Sequence, residues 1–457
     1  MSRNFVSMDV NPCKMCMAMG ASLAFKGLEG AMILMHGSQG CSTYIRRHIS
    51  THFDEPIDIA SSSLNEKDTI HGGAKNLKHG LKNVIALYDP KAIGVLTTCL
   101  TETIGEDTAA IVDDFKKKHG IRDIDIIPVS TPGYGGSHYE GYYAAVLSIV
   151  KYFARPAESH EGINIITGWM TPAEVRDLKR ILSYFDINAT IVPDISETLD
   201  EPYSGEYHMI PAGGTKAAEL SAMAGARATI EFGLSLPPAL SPGAWLEAQY
   251  GVPLYRLPLP IGLKNTDALL AALCKIARCE LPEVLQAERG RLLDAMIDSH
   301  KFNAEGNAAL FGDPETVYAT AALCLENGIE PIVVATGTRN DSFEEGIRGL
   351  TGFPPKAHVL ADTDFDTIQT LVRANGVNLL IGHSDGKFVE EKENVPLVRI
   401  GFPIHDRVGA HRQMHIGYGG TALLLDRIAN MLIEAKHSGF RQELFDTFYR
   451  KTEVRGA

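Results

Sequence analysis

Short apolar, β-favouring runs alternate along most of the chain with stretches whose apolar residues recur every three or four positions. That alternation predicts α/β layering around parallel sheets. In the first third, strands are predicted at 31–35, 57–60, 92–97 and 124–129. Between them Leu77, Leu81, Val84 and Ile85 fall on one helical face of residues 75–88, and Asp89-Pro90 ends that helix. A helix over 142–153 closes the unit before Arg155-Pro156-Ala157-Glu158. A second series of strands is predicted at 163–167, 190–192, 207–210, 228–232 and 254–257, with helices at 172–184 and 215–223. A third series falls at 308–311, 332–336, 358–361, 378–381 and 397–400, with helices at 316–327 and 366–374. Two more helices, 423–435 and 442–450, finish the chain. The expected architecture is three Rossmann-like domains with parallel sheets, at residues 1–157, 158–300 and 301–457.

Three cysteines interrupt this pattern at telling places. Cys16 closes Asn11-Pro12-Cys13-Lys14-Met15-Cys16, Cys41 ends His36-Gly37-Ser38-Gln39-Gly40-Cys41, and Cys99 ends a buried strand. Each sits where an apolar run gives way to glycine or polar residues, so all three belong on loops at one sheet edge. Loops at the carboxyl ends of parallel strands form the ligand crevice of such folds. Cys41 also opens an amphipathic helical stretch over 42–53, where the helix dipole favours a thiolate. A lone cysteine is usually a small buried hydrophobe, but three at loop edges point to a metal site. Iron–sulfur ligation fits better than zinc, because no paired CxxC or CxxC…HxxxH spacing is present. A cubane takes four protein ligands, so either Cys13 is the fourth or a second polypeptide shares the cluster.

Composition narrows the class. With 457 residues, 43 basic against 56 acidic, and a net charge of −13, the chain shows no basic stripe; nucleic acid is not an expected partner. Residues 1–5 lead into no apolar signal-like segment, and no apolar run is long enough to span a bilayer. Seven cysteines, an odd number, suit free thiols in a reducing compartment. A soluble, cytoplasmic protein is expected.

The remaining motifs are weaker. Gly133-Tyr134-Gly135-Gly136-Ser137-His138 and Gly213-Gly214-Thr215-Lys216 are placed after strands but match no phosphate-loop pattern, nor does Gly386-Lys387. The chain is not expected to bind ATP. His36 beside the Cys41 loop is either a turn residue or an orienting group. His383 and His405 end third-domain strands without an evident partner. Cys274 and Cys279 are read onto one helix and Cys324 onto another, as core or surface thiols. Arg46-Arg47-His48 reads as a solvated helix face.

Taken together, several stretches resemble the nitrogenase component 1 superfamily on its β-subunit side. They are residues 11–20, His36 to Cys41, Thr97-Thr98-Cys99 with Glu102 and Ile104-Gly105-Glu106-Asp107, Ser130-Thr131-Pro132 with Gly136-Ser137-His138, and Gly401-Phe402-Pro403-Ile404-His405-Asp406-Arg407. The resemblance implies an α2β2 heterotetramer with an eight-iron P-cluster, [8Fe-7S], at each α–β interface. Cys16, Cys41 and Cys99 would be this chain's three ligands to it. Electrons would come from a separate ATP-dependent iron–sulfur reductase and pass on to a cofactor in the α-like partner. Stretches 210–215, 228–231 and 382–384 resemble the cofactor-assembly scaffold's β-like subunit, yet the cysteine set is that of a catalytic subunit. That combination is most similar to the β-like subunit of nitrogenase-like methylthio-alkane reductases, which cleave C–S bonds in small thioethers. The alternatives are the assembly scaffold itself and a true nitrogenase β subunit. Where some nitrogenase β subunits carry a serine that binds the oxidised cluster, the similar segment here has Gly133.

Overall fold

The computed structural model of the protein describes residues 12–449. Residues 1–5, Asn11 and Arg450, each used in the reading above, lie outside the described residues.

Thirteen strands form three sheets among the described residues, and every pairing within them is parallel. The first holds β1 (Ala31–His36), β2 (Ala60–Ser61), β3 (Ala92–Thr97) and β4 (Asp125–Val129), in the order β2-β1-β3-β4. The second holds β5 (His160–Ile166), β6 (Ala189–Val192), β7 (Ala226–Phe232) and β8 (Leu254–Leu257), in the order β6-β5-β7-β8. The third holds β9 (Asn307–Gly312), β10 (Glu330–Thr336), β11 (His358–Leu360), β12 (Leu379–Gly382) and β13 (Leu397–Arg399), in the order β11-β10-β9-β12-β13. Strand order therefore reverses once in each sheet, beside β1, β5 and β9. Such a switch point opens a crevice at the strands' carboxyl ends. β1 and β3 are buried over their whole length, as their unbroken apolar runs require of strands covered on both faces.

One apolar core runs through all three units, and smaller cores lie against the first and third sheets. The helix Met17–Lys26 lies against the helix His138–Phe153 so closely that a Cβ on Gly20 would stand 1.8 Å from the His138 carbonyl oxygen. A Cβ on Gly141 would stand 1.9 Å from the Met17 carbonyl oxygen. The two glycines thus permit a backbone-to-backbone crossing that fixes where residue 16 begins its helix.

Several expectations change. The segment 207–210 is not a strand: it lies in an exposed connection, with Tyr207 and Met209 facing solvent and Gly205, Gly213 and Gly214 at positive φ on either side. Gly213-Gly214 therefore follows no strand. The strand expected at 57–60 shrinks to Ala60–Ser61. The two C-terminal helices are one, Gly417–Phe448, because the His437-Ser438-Gly439 interruption costs only about 1 kcal/mol in a helix. Cys274 lies in the helix Leu263–Ala277, whereas Cys279 falls beyond its end. The helix beginning at 142 starts instead at His138, where the Glu140 carboxylate accepts from the Ser137 N–H (2.5 Å) and Oγ–H (2.8 Å).

Candidate metal centre

Cys41 and Cys99 are carried by the two strands that flank the first sheet's switch point. β1 runs into Gly37-Ser38 and then the helix Gln39–Phe53, placing Cys41 in that helix's first turn. β3 runs through Thr98 into the short helix Cys99–Thr103. β4, next to β3, delivers the loop that carries Gly133. Cys16 arrives from outside the sheet, as the residue before the helix Met17–Lys26, and forms an antiparallel bridge with Ser137 at the end of the same loop.

Gly133 sits between two of the thiols. Its N–H donates to Cys99 Sγ at 3.1 Å. A Cβ on it would stand 3.3 Å from Cys99 Sγ and 3.4 Å from Cys16 Cβ. Ser38 Oγ donates to Cys41 Sγ at 3.8 Å. Cys99 is exposed, and Cys16 and Cys41 are half-buried. Burial is the main cause that pushes the Cys16 thiol above its ordinary range. The negative charges of Cys41 and Cys99 push it further, against the amides of Met19 and Ala18. Three thiolates gathered on one face repel one another unless cations lie among them.

A second layer of hydrogen bonds holds these loops. Glu102 Oε1 accepts from Thr97 Oγ1 (2.5 Å) and Ser130 Oγ (2.6 Å). Thr131 donates its N–H to Thr97 Oγ1 (2.9 Å) and its Oγ–H to the Thr97 carbonyl (2.7 Å). The loops bearing Cys99 and Gly133 are thereby tied together. His36 is the last residue of β1 and not part of the turn, and its role is structural: its ring bonds Ser62 Oγ (2.9 Å) and Glu106 Oε2 (2.6 Å), and Glu106 also accepts from the Gly73 N–H. His138 Nδ1 accepts from the Met15 N–H (3.1 Å), while the His138 N–H donates to the Met15 carbonyl (2.8 Å). This reciprocal pair pins the residue next to Cys16. Burial drives His138 down to about 3, with a smaller push from His383, so its ring is neutral and free to accept.

The other candidates separate from this face. Cys13 turns toward the third sheet, where its Sγ stands 3.8 Å from His383 Nε2. His405 Nδ1 lies 3.9 Å from Asp385 Oδ1. Cys324 is core, its thiol pushed to about 12 by burial. Arg46 reaches the Ile57 carbonyl (2.6 Å), while Arg47 stays exposed. Among the described residues no three His, Cys, Asp or Glu side chains close on a single metal-ion position. Soft donors spread over three loops, with a bare glycine between two of them, fit one side of a multi-iron cluster. Sequence reasoning noted Gly133 as standing where some related subunits carry a cluster-binding serine, but assigned no role to His138, which lies in the quoted Gly136-Ser137-His138 stretch.

In parallel α/β sheets the ligand crevice lies at a switch point, and that is where this chain carries its soft donors. The family model described as nitrogenase component 1 type oxidoreductase matches residues 16–433. The chain is 35% identical over 449 residues to the nitrogenase molybdenum-iron protein beta chain of Clostridium pasteurianum, covering 96% of each. It is 35% identical to the nitrogenase vanadium-iron protein beta chain of Trichormus variabilis, covering 94% of this chain and 95% of that one. The solved nitrogenase Cp1 at pH 6.5 superposes with a TM-score of 0.90 at 36% identity, over 95% of both chains. A chain of nitrogenase Cp1 at pH 5 shares the fold at 15% identity, with a TM-score of 0.70. The protein belongs to the nitrogenase component 1 type oxidoreductases, on the β-chain side. No helix among its described residues is long and apolar enough to cross a membrane.

Proposed function

We propose that this chain is the β-type, electron-relaying subunit of a nitrogenase-type reductase. Cys16, Cys41 and Cys99 are its ligands to a P-cluster-type [8Fe-7S] cluster shared with an α-type partner. The observation that carries this is the gathering of three thiols from three separate loops on one face, with side-chain-free Gly133 beside two of them. When bound, such a cluster supplies reversible electron storage between donor and partner cofactor.

The chain's own residues do the rest. The Gly133 amide donates to the Cys99 sulfur, the Met19 and Ala18 amides favour the thiolate of Cys16, and the helix Gln39–Phe53 begins beside Cys41. Glu102 and His138 keep the loops from relaxing when charge changes. The partners are an α-type subunit in an α2β2 heterotetramer and an ATP-dependent iron–sulfur reductase. Replacing Cys16, Cys41 or Cys99 singly by Ala lowers the iron content of the purified complex, and replacing Cys13 does not. Full iron in any of the first three variants would sink the ligand assignment.

For the substrate, the names of the relatives favour a true nitrogenase β subunit over the thioether reductase expected from the sequence. Reductive C–S cleavage keeps the support of the scaffold-like stretches combined with a full thiol set. Both are tested in one assay of the complex with its reductase, ATP and dithionite. Ammonia from dinitrogen supports the first reading, and methanethiol from dimethyl sulfide supports the second. Neither product, with low iron, marks an assembly scaffold.

A further inference from the structure

The third sheet has its own switch point, between β9 and β12, and Cys13 is seated against it. The Cys13 side chain is 1% exposed and belongs to the core formed by Phe311, Ala335 and Phe365. Its Sγ stands 3.8 Å from Nε2 of His383, 370 residues further along the chain. His383 directly follows β12, is 3% exposed, and lies edge-on between Phe311 and Phe365. Its Nδ1 faces Asp385 Oδ2 at 3.4 Å. Asp385 in turn lines a crevice of about 450 Å³ together with Lys14, Tyr44, His48 and His405.

Burial opposes a charge on this imidazole, but Asp385 and Cys13 outweigh it and raise His383 to about 10. The same contact holds Asp385 below the ordinary carboxylate range against its own burial. The core therefore holds an ion pair, the imidazolium of His383 against the carboxylate of Asp385. The imidazolium's field reaches His138, which pins Met15, and Asp313 at the end of β9. Tyr44 is raised first by burial and then by both Cys16 and Asp385, which places it between the two. Cys13 is only three residues from Cys16, a reach of at most ~11 Å along the chain. A thiol that merely filled space would need neither the imidazole nor the carboxylate behind it.

We propose that Cys13, His383 and Asp385 form a thiol–imidazole–carboxylate relay that positions the Cys16 segment and tunes the potential of the cluster Cys16 holds. These are positioning residues, and the inference rests on the cluster reading above. Cys13 fastens one end of the segment to the third sheet, and His138 fastens Met15 to the first. The His383 imidazolium compensates the Asp385 carboxylate behind Cys16, and loss of that compensation leaves a net negative charge that disfavours the more reduced cluster. At roughly 12 Å and an effective dielectric of about 20, a unit charge shifts the oxidised-to-reduced ratio about tenfold.

The test poises the anaerobic complex at the wild-type midpoint potential and reads the oxidised fraction by EPR and absorbance, beside an iron count. In His383→Gln the oxidised-to-reduced ratio rises about tenfold with iron retained, and His383→Lys, which restores the charge, returns it toward wild type. In Asp385→Asn, His383 loses the carboxylate that holds its proton and gives the proton up at lower pH. With the carboxylate gone, the ratio lies below wild type at pH 6, where the imidazole is still charged, and near wild type at pH 9, where it is neutral. His48 and His405 also face Asp385, so the slope is compared with that of the wild type. Should His383→Gln fail to assemble, Asp385→Asn carries the same test alone. An unchanged ratio at both pH values in iron-replete variants would reduce the trio to packing. Absence of iron from the wild-type complex would instead remove the cluster reading itself.

Discussion

Cys16, Cys41 and Cys99 share a face because of where their backbones end. Two stand just past adjacent strands, and the third is held by its bridge to Ser137. Gly133 is the residue most exposed to substitution at this scale. In Gly133→Ser the new Cβ lies in contact with Cys99 Sγ and Cys16 Cβ and carries a hydroxyl into the thiol face. Under the cluster reading that oxygen becomes a ligand to the oxidised state, so the variant's oxidised complex gives an altered EPR spectrum and a lower midpoint potential. An unchanged spectrum would mean that Gly133 does not border the cluster. The cysteines were legible from sequence because each breaks an apolar run. The partner of His383 was not, because Cys13 stands 370 residues away and only the third sheet's topology brings it back.

At the scale of elements, the crossing of Met17–Lys26 over His138–Phe153 sets the position of Cys16. Gly20→Ala or Gly141→Ala forces the helices apart, because the added Cβ would stand 1.8 or 1.9 Å from a carbonyl oxygen of the facing helix. Overpacking of this kind costs about 1–3 kcal/mol. Each variant is expected to lower the midpoint of thermal unfolding and the iron retained per complex together. Stability loss with full iron would uncouple the crossing from the site. This helix had no legible period in the sequence, because all ten of its residues are buried and no polar face marks its turns. Parallel strands were easier, since burial on both faces leaves unbroken apolar runs at 31–36 and 92–97. The expected strand at 207–210 has β-favouring residues but no neighbouring strand to pair with, a property that local sequence does not carry.

For the whole molecule, buried histidines set the response to acid. His52 and His138 are both driven to about 3, chiefly by burial. Between pH 6.5 and 3 the unfolded chain binds a proton at each that the native chain does not. Stability therefore falls with falling pH, by roughly 1.4 kcal/mol per unit for each histidine. His383 acts in the opposite sense: its contribution is complete below about 6.5 and is lost as pH rises through about 10. Urea unfolding across this range is expected to show maximal stability near pH 6.5, falling on either side. The acid limb should be shallower in His52→Gln with His138→Gln, and an unchanged limb would remove these two rings from the account.

The shared cluster is the claim on which the function turns. Diffraction from crystals of the anaerobic complex, measured at the iron absorption edge, locates its iron directly. The account predicts iron bonded to the sulfurs of Cys16, Cys41 and Cys99 and continuing into the partner subunit. Iron absent from that face, or closed within this chain by Cys13, would contradict it.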